Sequence, residues 1–154
     1  IDYDERILAR FDYVIGSVHS RFTMDGRAIT ARVLTALDSP FLTILGHPTG
    51  RLLLTREPYD IDMHAVLERA AARGVAVELN ADPHRLDLDW RLLREARDLG
   101  VTIEIGPDAH SPNGLDYIRT GGGIARKGWL RARDILNTRD ADAVIAFARA
   151  RRGS

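Results

Sequence analysis

The sequence contains no cysteine, which removes disulfides, thiolate nucleophiles and zinc–thiolate sites together and leaves histidine and carboxylate as its only strong metal ligands. It carries no net charge either. Its 22 basic residues balance 22 acidic ones, so no overall field draws it to nucleic acid or an anionic membrane, and any phosphate binding has to come from arginines placed locally. No apolar run approaches the length of a membrane span and no signal-like segment opens the chain. The expectation is a soluble, cytoplasmic protein with no membrane partner. A starting methionine is missing too: Ile1 comes first, and Asp2-Tyr3-Asp4-Glu5-Arg6 leads into a short helical pattern with no turn ahead of it, which reads as a start cut from something longer.

What is present suffices for a substantial core: 154 residues, 45% of them hydrophobic, make one domain or a large part of one. Four nearly continuous apolar runs, at about 13–18, 42–47, 75–80 and 101–106, read as strands buried on both faces, as in parallel sheets. Helical patterns lie between them. Thr30 to Leu37 is one, ended by Asp38-Ser39-Pro40. Asp60 is the expected cap of the next, whose face Ile61, Val66, Leu67, Ala70 runs to Arg73 and stops at Gly74. Asp89 is the expected cap of the third, which carries Leu92, Leu93, Ala96 and Leu99 and ends at Gly100. Beyond Ser111, Gly121-Gly122-Gly123 is expected to break the pattern, residues 129–136 and 141–150 to form terminal helices, and residues 151–154 to fray. Strand and helix alternating with short connections predict an α/β fold of right-handed βαβ units around a parallel sheet, open or closed. Ligands then gather at the carboxyl ends of the strands.

Those ends carry the chemistry. His19 closes the first apolar run, His47 the second, and Asp108-Ala109-His110 follows the fourth. A single histidine at a strand end is commonly a packed or capping residue. Three in register, one of them paired with an aspartate two positions earlier, point instead to a metal site, because residues two apart on a strand face the same way. His64, within an amphipathic helix, and His84, in a polar loop, read as surface residues. Imidazoles with carboxylates suit zinc or manganese, which lower the pKa of bound water and neutralise phosphate oxygens. Arg51 and Arg85, each just past a strand end, either grip a phosphate or pair with Asp82 or Asp87. Asn80 is either a substrate contact or turn chemistry, and Glu78 shares its face or joins an interior ion pair. Arg126 and Lys127 beside Trp129 either hold a nucleic-acid strand by charge and stacking or flank a helix-packing indole.

In order and spacing, Ser17-Val18-His19-Ser20, Leu45-Gly46-His47-Pro48-Thr49-Gly50-Arg51, Glu78-Leu79-Asn80-Ala81, Arg85-Leu86-Asp87-Leu88, Asp108-Ala109-His110-Ser111 and Ala125-Arg126-Lys127-Gly128-Trp129 resemble the polymerase-and-histidinol-phosphatase (PHP) domain at the C-terminus of bacterial family X DNA polymerases. The match runs over nearly the whole chain; Gly106-Pro107 departs from the family's usual small hydroxyl residues. The resemblance implies the C-terminal portion of a distorted (β/α)7 barrel, with a trinuclear manganese or zinc centre at its carboxyl-end face and 3′–5′ exonuclease activity in DNA repair. It implies that His19, His47, Asp108 and His110 are metal ligands and catalytic residues, with Arg51, Asn80, Arg85, Arg126 and Lys127 contacting substrate. The family's other ligands, an early His-x-His motif, an acidic residue, a further His and a Glu, fall upstream of Ile1, as does the polymerase domain. The partners implied are a DNA 3′ end, that polymerase domain and the missing half of the barrel. A stand-alone PHP phosphatase of the histidinol-phosphatase kind and an inactive folded fragment are the rival readings.

Overall fold

The computed structural model describes residues 1–152. Its centre is a four-stranded sheet, β1 (Ile15–Gly16), β2 (Ile44–Leu45), β3 (Ala76–Asn80) and β4 (Ile103–Gly106), with every pairing parallel and the strands in chain order. All four ladders fall inside the apolar runs, and β3 is buried along its full length, as a strand covered on both faces must be.

Among the described residues six α-helices accompany the sheet: α1 (Glu5–Leu8), α2 (Gly26–Leu37), α3 (Met63–Arg73), α4 (Trp90–Asp98), α5 (Tyr117–Lys127) and α6 (Ala141–Ala150). Aspartate stands at the N-cap of all six, and in five of them its side chain makes the cap. Asp4, Asp25, Asp62, Asp89 and Asp140 each accept a hydrogen bond from a backbone N–H of the first turn, a cap whose loss costs about 1 kcal/mol. Asp25 starts α2 four residues earlier than the apolar pattern indicates. Asp62, and not Asp60, caps α3, because Asp60 lies over Gly26, where a Cβ would stand 2.2 Å from its carbonyl oxygen. Gly74 ends α3 in the left-handed conformation (φ 62°), as its position predicts. Val33 and Leu37 of α2, Val66 and Leu67 of α3 and Leu93 of α4 close over Val77, Leu79 and Ile103 in one continuous core.

Three expectations for the C-terminal third are corrected. Gly121-Gly122-Gly123 does not break the chain but lies inside α5; Gly121 packs so tightly on Ile105 and Ala81 that tertiary contact overrides helix propensity. Residues 129–136 are not a helix. Trp129 turns to a left-handed φ of 63°, two 3-10 turns follow at Ala132–Asp134 and Leu136–Thr138, and Ile135 bridges Ile103 on the outer side of β4. There Asn137 mimics a strand, accepting from the Ile105 N–H at 2.7 Å and donating to its carbonyl at 3.1 Å, so this edge of the sheet is partly covered. Nor does the chain fray at Arg151: this side chain is buried, and its guanidinium donates to the carbonyls of Arg73, Leu37 and Ser39. Gly153 and Ser154 lie outside the described residues. At the other edge, Ile15 of β1 is 52% exposed.

Candidate active site at the carboxyl ends of the strands

Because all four strands run the same way, their carboxyl ends open onto one side of the sheet, where a cavity of about 320 Å³ is lined by Ser17, His19, His47, Glu78, Glu104 and Asp108, among others. The His19 and His47 rings meet there, centroids 5.2 Å apart and tilted by 56°. Asp108 lines the cavity, while His110 is exposed and its Nδ1 lies 2.6 Å from the Asp108 carbonyl oxygen. A larger open groove of about 540 Å³ between α2 and the segment before α3 gathers Arg27, Asp60 and Asp62 but no histidine.

His47 sits at the most constrained point. Its backbone takes a positive φ of 27°, and the carboxylate of Glu78 holds that geometry by accepting the His47 N–H at 2.5 Å. Thr49, two residues on, donates its N–H to Asp87 at 3.0 Å, and the Gly50 N–H closes the turn on the His47 carbonyl at 3.0 Å. Burial first, then the nearby Arg85 charge, press the His47 imidazole down to about 4, so the ring is neutral at pH 7. Its Nδ1 is buried with no hydrogen-bond partner.

That neutral imidazole with an orphaned nitrogen, lining a cavity with a second imidazole and an ionised carboxylate, fits a metal ligand set of nitrogen and oxygen donors. The set is partial: among the described residues no three histidine or carboxylate side chains stand close enough together to hold an ion. Burial works to raise the Asp108 carboxyl, yet the Asn80 amide and the Arg85 charge leave it below the usual carboxylate value. Glu78 is pushed up to about 8 by burial, with Glu104 adding repulsion; the two glutamates are register neighbours on β3 and β4.

The remaining sequence candidates divide. Arg85 donates from Nε to Asp108 at 2.9 Å, and its buried Nη1 has no partner. Arg51 is turned into the loop 82–89, donating to Asp89 at 2.7 Å and to the carbonyls of Arg85 and Leu86. Both arginines are thus paired, with Asp108 and Asp89 and not with Asp82 or Asp87. Asn80 is fully buried and its side-chain oxygen accepts the Asp82 N–H at 3.1 Å, which is turn chemistry. Lys127 lies 4.4 Å over the Trp90 ring, Arg126 is exposed on the last turn of α5, and Trp129 is 72% exposed rather than packed. His64 and His84 are exposed and face Glu95 and Asp82. Sequence reasoning missed Glu104 and Tyr59 and gave Asp87 only as a partner for Arg51 or Arg85, not as the acceptor of the Thr49 N–H; Glu104 left a signal, since parallel pairing of 75–80 with 101–106 sets it beside Glu78.

No protein-family model matches the chain. Over 147 residues, 96% of its length, it is 44% identical to the DNA polymerase/3′-5′ exonuclease PolX of Bacillus subtilis. Over this stretch the chain is similar to a bacterial PolX. It spans 26% of that PolX. It is also 30% identical over 119 residues to a probable phosphatase of Caldanaerobacter subterraneus subsp. tengcongensis, and 30% identical over 117 residues to one of Caldicellulosiruptor saccharolyticus, spanning 44% and 46% of those proteins. Segments 45–51 and 108–111 carry His47 and Asp108 to the cavity, and segment 85–88 brings Arg85 against Asp108.

Proposed function

We propose that this chain is the C-terminal portion of a PHP domain which, in a longer polymerase, acts as a metal-dependent phosphoesterase removing nucleotides from DNA 3′ ends in repair, in the cytoplasm. The observation that carries the reading is the neutral His47 imidazole, its Nδ1 without a partner, on a ring that lines a cavity shared with His19 and Asp108, in a chain 44% identical to an exonuclease-polymerase. His19, His47, Asp108 and His110 would hold manganese or zinc, as part of a trinuclear set that upstream strands complete. When bound, such ions supply a water of lowered pKa and neutralise phosphate charge.

The chain's own residues do the rest. His47 stays unprotonated, so its nitrogen lone pair is free at neutral pH. Arg85 fixes Asp108 with one donor and keeps Nη1 for a phosphate oxygen. Arg51 shapes the loop that presents Arg85. Lys127 and Arg126, with the Trp90 and Trp129 indoles alongside, offer charge and stacking to a strand leading away from the 3′ end. Asn80, being buried, acts by holding its turn.

A second reading, a phosphatase of small monoesters, is favoured by the probable phosphatases and by a cavity of only about 320 Å³. One experiment separates them. The longer protein is titrated with manganese on a 3′-recessed DNA duplex and, in parallel, on a small phosphate monoester. Nucleotide release from DNA with little phosphate from the monoester supports the exonuclease; the reverse supports the phosphatase; neither, with metal absent by elemental analysis, supports an inactive remnant.

A further inference from the structure

Tyr59 stands between the two loops that carry the cavity's imidazoles. Its N–H donates to the Thr49 carbonyl at 2.9 Å and its phenol donates to the Val18 carbonyl at 3.2 Å. Its ring stacks on Phe22 at 5.8 Å and 11° and lies so close to Gly50, at φ 63°, that a Cβ there would fall 2.0 Å from it. Val18 precedes His19, and Thr49 and Gly50 complete the turn that His47 opens. One side chain therefore touches the loop after β1 and the loop after β2. Arg56 adds a tie between the same loops, donating to the Gly50 carbonyl at 2.6 and 2.9 Å while its guanidinium lies 4.5 Å over Phe22.

The two loops descend from different strands and differ in restraint. The His47 turn is gripped by Glu78 and Asp87. Residues 19–22 are exposed; Ser20 accepts from Arg32, and the face toward His47 is held by Tyr59. Burial raises the Tyr59 phenol above its ordinary value, so it remains a donor throughout the neutral range.

We propose that Tyr59 is a positioning residue that sets the separation of His19 from His47. The catalytic consequence of this rests on the phosphoesterase reading above; the structural consequence does not. Tyr59→Phe removes only the Val18 bond, whereas Tyr59→Ala removes the bond, the Phe22 stack and the packing on Gly50.

The test uses the longer protein with histidine rings carbon-labelled at Cε1 and all metal stripped. In Tyr59→Ala the His19 and His47 resonances should both move; in Tyr59→Phe that of His19 should move, and that of His47, whose ring lies 5.2 Å from the His19 ring, should follow by less. His64, on α3 and facing Glu95, should move in neither and so reports an intact fold. If Tyr59→Ala unfolds the region and His64 moves, Tyr59→Phe decides alone. In the same variants, bound manganese is counted by electron paramagnetic resonance and turnover is measured on DNA. Tyr59→Ala should weaken metal affinity and lower kcat by about 10-fold or more, the range for residues that orient ligands, with Tyr59→Phe restoring most of it. A His19 resonance unmoved in both variants, or manganese affinity and kcat unchanged in Tyr59→Ala, overturns the proposal. Wild-type protein without manganese-dependent turnover overturns the phosphoesterase reading instead, and the metal-free spectra still decide the role of Tyr59.

Discussion

The three consecutive glycines of α5 should respond to alanine with opposite signs. Around Gly122 and Gly123 nothing lies within 4 Å of an added Cβ, so Gly122→Ala and Gly123→Ala collect the helix-propensity difference alone, a stabilisation of about 0.5–1 kcal/mol each. At Gly121 the added Cβ would stand 2.4 Å from Ile105 Cγ2 and 2.8 Å from Ala81 Cβ, about 1 Å inside ordinary contact with two side chains of the buried sheet. Overpacking of that kind costs about 1–3 kcal/mol. With both clashes against the sheet the upper half of that range applies, so Gly121→Ala loses about 1–2 kcal/mol net and falls about 2–3 kcal/mol below Gly122→Ala. Urea denaturation of the chain followed by circular dichroism reads this as a change in midpoint, and in a thermal melt 1 kcal/mol is worth roughly 2–4 °C at this size. Gly121→Ala as stable as Gly123→Ala would refute the account of why the helix continues through the triplet.

Asp87, buried and held at about 6 against an ordinary 3.8, keeps a proton in the folded chain that the unfolded chain releases. Stability should therefore fall as pH rises from about 4 to about 6, by about 3 kcal/mol for this group. Asp87→Asn, which still accepts from Thr49, should remove that part of the slope in denaturation curves taken across the window; an unchanged difference between variant and wild type refutes the burial argument. Arg151→Met should cost about 2–4 kcal/mol by leaving the Leu37, Ser39 and Arg73 carbonyls without their donor, and a variant within 0.5 kcal/mol of wild type, about the ordinary scatter for a surface change, would show that water replaces it. In the longer protein His110→Ala should abolish nuclease turnover while polymerisation continues; loss of both would indicate misfolding.

The strands were readable because parallel strands covered on both faces need continuous apolar runs; the ladders of β3 and β4 end where their runs end, at Asn80 and Gly106, and those of β1 and β2 end two residues earlier, at Gly16 and Leu45. Asp89 and Gly74 were readable because capping is local. Asp62 and Asp25 were not, since the choice between neighbouring aspartates is made by where the preceding loop packs, as Asp60 over Gly26 shows. The helix through Gly121 was hidden because its compensation comes from Ile105 and Ala81, far away in sequence. At the site, His19, His47 and Asp108 followed from strand ends alone. The partners of Arg51 and Arg85, and the parts played by Asp87 and Tyr59, depend on how loops fold against each other, which no periodicity records.

The chain-order sheet has a consequence for how such a protein tolerates being divided. Each βα unit pairs only with the unit before it and the unit after it, so severing the chain in a connecting loop interrupts no ladder, and loss of a terminal unit exposes a single edge. Stability is in this sense distributive: separate pieces retain their own pairings and can re-associate along one seam. The chemistry is collective. His19, His47 and Asp108 arrive on β1, β2 and β4, one group to a strand, so every division between β1 and β4 that spares the ladders still divides the site, and only reassembly of neighbouring units restores it.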